Sequence, residues 1–225
     1  MKKEQLDLVE KVELENGDSL VIVDIQNDFT PGGALAVEEG DEIIDGINSV
    51  AVIFAAADLT VAQTQDWHPK DHDSFASSHS GKEPGDPFES NDGAIGPVLW
   101  PDHCVQGTNG AEFHKNLNTK YTRAIIRKGY HKHVDSYSAF LENDKKTKTG
   151  LAGYLKGLDI KRVFICGLAL DYCCYFSALD ALDFGFEVYL IVDLTKGIDD
   201  PEGNVSRALS DMTKKGVKFV KQESF

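Results

Sequence analysis

Six short runs rich in β-branched and aliphatic residues recur along the chain, at 19–25, 59–66, 123–128, 162–166, 187–193 and 217–220. They read as apolar blocks, the pattern of strands covered on both faces. Between them the period changes. From Asp41 to Asp58, Ile43, Ile44, Ile47, Val50, Ala51 and Phe54 share one stripe of a 3.6-residue helix, behind Asp41 and Glu42 in its first turn, where acids suit the helix dipole. Helical spacing also covers 147–158, 171–184 and 203–215, each ending near a glycine able to take the left-handed C-terminal position. This alternation predicts an α/β fold: a three-layer sandwich around a central, mostly parallel six-stranded sheet, doubly wound and Rossmann-like. One domain spanning 1–225 accounts for the whole pattern.

Two segments stand outside it. Residues 1–18 form an N-terminal extension, ending in an Asn16-Gly17 pair that suits a tight turn, and fit either a strand hairpinned onto the first or a loose arm. Residues 77–97 form a long acidic loop rich in glycine, proline and serine, longer than a simple connection requires. Lysine and arginine total 23 against 37 aspartates and glutamates, a formal charge of −14, which argues against nucleic acid and anionic membrane surfaces as partners. The polar start is unlike a signal peptide and no apolar stretch approaches a membrane span, so a cytoplasmic protein is expected. Four cysteines, two of them the neighbours Cys173 and Cys174, suit reactive or buried thiols better than a disulfide framework.

In an open α/β sheet, ligands bind beyond the carboxyl ends of the strands. Those ends carry Asp24, the triplet Asp66-Trp67-His68, Lys128, and a Gly167-Leu168-Ala169-Leu170 bend leading to Asp171-Tyr172-Cys173. Cys173 falls in the first turn of a helix, where exposed amides favour a thiolate and can serve an oxyanion. Lys128 closes a strand expected to be central, and its ammonium calls for an anionic partner, with Asp24 on the neighbouring strand the candidate. A Cys173, Asp24 and Lys128 cluster suits amide hydrolysis, with Asp24 moving the thiol proton to the leaving amine. Asp66 and His68, two apart on an extended segment, point to the same side and can share a cation; His103 is a candidate third ligand, and His72 a further ligand or its supporting partner. One carboxylate and two imidazoles suit zinc, iron or manganese. The remaining histidines, His79, His114, His131 and His133, carry no such pattern.

Taken together, V-D-I-Q-N-D-F (23–29), G-G-A-L-A-V (32–37), D-W-H-P with D-H-D-S-F (66–75), W-P-D-H-C-V (100–105), R-K-G (127–129), D-S-Y-S-A-F (135–140) and G-L-A-L-D-Y-C (167–173) resemble the nicotinamidase (pyrazinamidase) family of isochorismatase-like cysteine hydrolases. The resemblance implies the isochorismatase-like hydrolase fold and hydrolysis of nicotinamide to nicotinate and ammonia through a cysteine thioester, in NAD salvage. It implies Asp24, Lys128 and Cys173 as catalytic triad, and Asp66, His68 and His103 as ligands of a divalent metal, most commonly zinc, that contacts the pyridine nitrogen. By the same resemblance, the amides of Ala169 and Cys173 form an oxyanion hole behind a cis Leu168–Ala169 peptide, and Phe29, Trp100 and Tyr137 line the ring. Two features depart from the family pattern: Cys174 stands where an aliphatic residue is more common, and the 77–97 loop is longer than in compact bacterial members. The expected partner is a small-molecule substrate, with a homo-oligomer left open. The nearest alternative is a related cysteine amidohydrolase acting on another small amide or carbamoyl compound, which would not need the metal ligands. A dinucleotide-binding module lacks its G-x-G-x-x-G after a strand, and an acidic interaction domain would leave the thiol and histidines without a task.

Overall fold

The computed structural model describes residues 2–225. Strands β1 (Asp18–Val23), β2 (Thr60–Asp66), β3 (Ala124–Lys128), β4 (Arg162–Leu168), β5 (Glu187–Lys196) and β6 (Lys218–Val220) form one sheet in the order β3-β2-β1-β4-β5-β6, with every neighbouring pair parallel. Successive strand residues point to opposite faces, and both faces are covered. Leu20, Ile22, Val61 and Phe164 meet helix α1 (Ile44–Ala56) through its stripe of Ile44, Ile47, Val50, Ala51 and Phe54. On the other face Val21, Ile165 and Leu190 pack with Leu155 of α2 (Leu151–Gly157), Ala178 of α3 (Tyr175–Asp183) and Leu209 of α4 (Asn204–Lys215). The apolar blocks of the central strands are therefore the consequence of two helical layers. No helix of the described residues is long and apolar enough to cross a membrane.

β3 is a correction to the expected layout: it lies at the sheet edge, and β2 separates it from β1. Its burial alternates and Ile125 is 50% exposed, while Arg127 stacks 3.8 Å from the Trp67 ring centroid. Lys128 is nevertheless fully buried, because the chain after the strand folds back over its end and Ser136 O receives the Lys128 ammonium at 2.8 Å. Two helices also start later than their spacing predicts. α2 is delayed by an antiparallel bridge between Leu141 and Lys148, and α3 follows a π-helical turn over Leu170–Cys174.

The N-terminal arm is neither hairpinned onto β1 nor loose. Asn16-Gly17 does turn the chain, with the Asp18 N–H donating to Glu15 O at 3.1 Å and Gly17 at φ +100°. Ahead of that turn, however, the Val9 N–H donates to Phe219 O at 2.9 Å and Leu8 bridges Phe219, so the arm covers the β6 edge. Residues 85–99 make a small hairpin: the Gly85 N–H donates to Leu99 O (2.7 Å), Phe88 N–H to Pro97 O (3.0 Å) and Ser90 N–H to Ile95 O (3.0 Å). The Asp135 N–H ties it to the site wall through Ala94 O at 2.9 Å.

The strand order reverses direction between β1 and β4, and the crevice beyond such a switch point is where ligands bind. Gly167 makes the approach of these two strands feasible. Its φ is +116°, and a Cβ there would stand 2.1 Å from Val23 O.

Candidate active site

Asp24 is the first residue beyond β1 and adopts a left-handed φ of +48°, a conformation that costs energy outside glycine and is held here by its partners. Thr64 of β2 donates its hydroxyl to Asp24 Oδ1 at 2.6 Å and accepts the Asp24 N–H at 3.2 Å. The Lys128 ammonium, arriving from β3, lies 2.9 Å from Asp24 Oδ2, 2.5 Å from Asp66 Oδ1 and 3.5 Å from Cys173 Sγ. One ammonium thus joins the ends of three strands and the turn after a fourth. Burial alone would strip its proton, but the two carboxylates hold its pKa well above the ordinary lysine value.

Ligand atoms of Asp24, Asp66 and Cys173 lie within 4.8 Å of one another. Asp24 Oδ2 touches the ammonium yet makes no hydrogen bond of good geometry, which leaves it able to take a proton from the thiol. Burial raises the pKa of Asp24 against the pull of Lys128. Burial likewise pushes the Cys173 thiol well up, outweighing Lys128. This corrects the thiolate expected from a helix N-terminus. The resting group is a thiol beside a carboxylate, and its proton must leave as the sulfur attacks.

Asp66, His68 and His103 converge within 4.8 Å. His68 Nε2 stands 3.5 Å and His103 Nε2 3.9 Å from Asp66 Oδ2. His103 reaches this place because its segment runs beside the continuation of β2: the His68 N–H donates to Cys104 O at 3.0 Å and the Gln106 N–H to His68 O at 2.9 Å. The Nδ1 atoms are engaged at Gly129 O (3.0 Å, His68) and Pro101 O (2.8 Å, His103), an arrangement that fixes both rings and directs both Nε2 atoms inward. Gly129 is at φ +62°, and a Cβ there would meet His68 Cε1 at 2.3 Å. Burial and the neighbouring His68 lower His103 to about 4, so it is neutral; despite burial, Lys128 and His68 hold Asp66 well below the usual carboxylate range. His68 Nε2 is buried without a hydrogen-bond partner. The orphaned Nε2 of His68, the neutral imidazole of His103 and the ionised carboxylate of Asp66 form a donor set that fits a divalent cation of the zinc type. His72 is outside the set: its Nδ1 is 2.7 Å from Ser74 Oγ and its Nε2 3.2 Å from Val134 O, and its ring packs 4.4 Å from that of His68.

Cys173 of the first group and Asp66 and His103 of the second line one narrow cavity. Phe29, Trp100 and Tyr137 line it together with Ala169 and Cys173. Trp100 Nε1 donates to the Tyr137 hydroxyl at 3.1 Å, and that hydroxyl donates to Gly96 O at 3.0 Å, so the aromatic wall is fixed by the 85–99 hairpin. The peptide between Leu168 and Ala169 is cis.

The sequence pattern of the isochorismatase domain matches residues 18–224. The chain belongs to the isochorismatase family. Within it, the chain falls among the nicotinamidases: the nicotinamidase of Acinetobacter baylyi is 48% identical over 206 residues, 91% of this chain and 92% of that protein. Among solved structures, an L. infantum protein in complex with nicotinate aligns at 39% identity and a TM-score of 0.81, over 95% of this chain and 98% of its own. A pyrazinamidase of Pyrococcus horikoshii in complex with zinc aligns at 39% identity and 0.74, over 91% and 99%.

Several residues of this isochorismatase-family site escape a reading of strand ends. Thr64 lies inside β2, two residues before the Asp66 that ends it, where its role as Asp24's partner has no sequence signature. Tyr172, Leu35 and Ile198 complete the cavity. Tyr172 sits next to the nucleophile and its ring meets Trp100 edge-on at 5.3 Å, a signal that its position beside Cys173 offered. Asp135 also faces the cavity and was visible only as part of a motif.

Proposed function

We propose that this chain is a nicotinamidase, hydrolysing nicotinamide to nicotinate and ammonia through a thioester on Cys173. The observation that carries the reading is one cavity under an aromatic wall, lined by Cys173, which Lys128 links to Asp24, and by Asp66 and His103 of the Asp66–His68–His103 donor set. Relatives named as nicotinamidases, up to 48% identical, support it, as does the neighbour complexed with nicotinate.

In the first half, Cys173 Sγ attacks the carboxamide carbon while Asp24 takes the thiol proton. Asp24 returns that proton to the amide nitrogen, the C–N bond breaks, ammonia leaves and the thioester remains. The amides of Ala169 and Cys173 are assigned to the developing oxyanion. In the second half, water attacks the thioester carbonyl, Asp24 takes its proton, and the C–S bond breaks with that proton returning to sulfur. Lys128 stays charged throughout and keeps Asp24 and Asp66 from repelling each other. Phe29, Trp100 and Tyr137 hold the flat ring. Asp66, His68 and His103 would hold the cation, zinc by the donor set and by the zinc-bound neighbour; when bound, it supplies a Lewis-acidic anchor for the ring nitrogen. The acidic, polar composition supports a cytoplasmic setting, with nicotinate passing to NAD salvage.

The test is ammonia release from nicotinamide by the protein as isolated, after chelator treatment, and as Cys173→Ala. Release that vanishes in the variant and falls on chelation is expected. Absence of release from metal-replete wild type would overturn the assignment and turn attention to small carbamoyl compounds.

A further inference from the structure

Asp135 has no part in the reaction above, yet its side chain lines the cavity beside Asp66, His103 and Cys173. It is 3% exposed. Its Oδ1 accepts the Ser136 N–H at 2.8 Å, whereas Oδ2 is buried without a hydrogen-bond partner. A buried, unpartnered carboxylate oxygen is costly, and one in a native structure calls for an explanation such as a catalytic role or a bound water or ion. The neighbouring side chains do not. The Lys128 ammonium is shared between Asp24 and Asp66, and both nitrogens of His72 face other oxygens.

One carboxylate oxygen of Asp135 lies within 4.8 Å of ligand nitrogens of His68 and His72. That trio shares only His68 with the Asp66–His68–His103 set, so Asp135 stands next to the cation site without joining its donors. His68 Nε2 is likewise buried without a hydrogen-bond partner. Two buried side chains whose ligand atoms lie within 4.8 Å of one another thus each carry an unpartnered polar atom, one able to bind a metal and one an acceptor.

We propose that Asp135 is a positioning residue for the cation: its free oxygen accepts a hydrogen bond from a water coordinated to the ion held by Asp66, His68 and His103, and thereby raises the affinity for that ion. The inference rests on the cation reading above. Outer partners of this kind typically contribute about 10–100-fold to metal affinity.

The experiment is zinc titration of chelator-stripped protein against a chromophoric competitor, for wild type, Asp135→Asn, Asp135→Ser and His103→Ala, with the melting temperature of each stripped form. Asp135→Asn is expected to bind zinc about 10–100-fold more weakly, while its stripped form melts no lower than stripped wild type because the orphaned charge is gone. Asp135→Ser carries the same expectation with a smaller group. A merely structural Asp135 would give the reverse pairing, a lower melting temperature for the stripped variants or failure of both to fold, and would overturn the proposal. So would zinc affinity within about threefold of wild type. Wild type that binds no zinc, or His103→Ala that binds it as wild type does, would instead remove the cation reading and this inference with it.

Discussion

Glu142 offers a measurement of how tightly the chain after β3 is sealed over the site. It is 3% exposed and its Oε2 has no hydrogen-bond partner, while Asp144 two residues on adds a like charge. Burial first, and then Asp144, raise its pKa from an ordinary 4.5 to about 7. A carboxyl whose pKa is higher in the folded chain holds its proton better there, so stability is lost as pH rises from the unfolded value through the folded one. At about 1.4 kcal/mol for each tenfold change in proton affinity, the full loss above pH 7 is about 3.4 kcal/mol. Partly exposed neighbours let water screen the group, and about 1–2 kcal/mol is the expected effect. Glu142→Gln removes the ionisable proton and keeps the shape. At roughly 2–4 °C per kcal/mol for a chain of this size, its melting temperature at pH 8 should exceed wild type by about 3–6 °C. At pH 5 the gain should fall to about a quarter of that, because the wild-type side chain is then protonated when folded. Thermal unfolding of chelator-stripped protein at both pH values measures it. A gain equal at pH 5 and pH 8, or a loss at pH 8, would refute the reasoning.

Lys128→Met should lower stability by about 3–5 kcal/mol in urea denaturation, since Asp24 and Asp66 are left buried without their shared cation; a loss under about 1 kcal/mol would show that water reaches them. Gly129→Ala, whose Cβ would press on the His68 ring, should lose zinc on desalting where wild type retains it, as metal analysis would show. Cys173→Ala should keep its zinc while releasing no ammonia, because Cys173 is outside the Asp66–His68–His103 set. Phe54→Ala, in the α1 layer remote from the cavity, should cost about 3–5 kcal/mol of stability and leave ammonia release per folded molecule unchanged.

The parts of the fold legible in sequence are those whose cause is local or periodic. Runs such as Leu20 to Val23 announce a strand because helices cover both its faces, and the α1 stripe announces a helix because one face meets the sheet. Asp24, Asp66, Lys128 and Cys173 stand out because each ends or follows a strand, where an α/β sheet keeps its chemistry. What was not legible depends on which strands become neighbours. Nothing within 124–128 says that it will lie at the edge, or that the face carrying Ile125 and Arg127 will be left open, which gives its alternating burial.

The same limit explains the misjudged sulfur. The helix turn beside Cys173 is written in the local sequence, and it favours a thiolate; the burial that reverses this, and the Asp24 and Asp66 carboxylates that add to it, come from packing against segments distant in sequence. Asp135 shows the converse. A carboxylate in a motif carries no sign of being orphaned until the 85–99 hairpin fixes its backbone at Ala94 and the Lys128 ammonium is committed elsewhere. Local pattern therefore identifies groups capable of chemistry, whereas their protonation and their unfilled bonds are set by long-range packing. Gly167 and Gly129 tie the two levels together. Each is visible as a glycine at the end of a strand, and each is required by an atom far away in sequence, Val23 O for one and the His68 ring for the other. The site's tolerance to substitution should accordingly be lowest where a small residue admits a distant partner, a property that neither the strand pattern nor the reactive residues disclose.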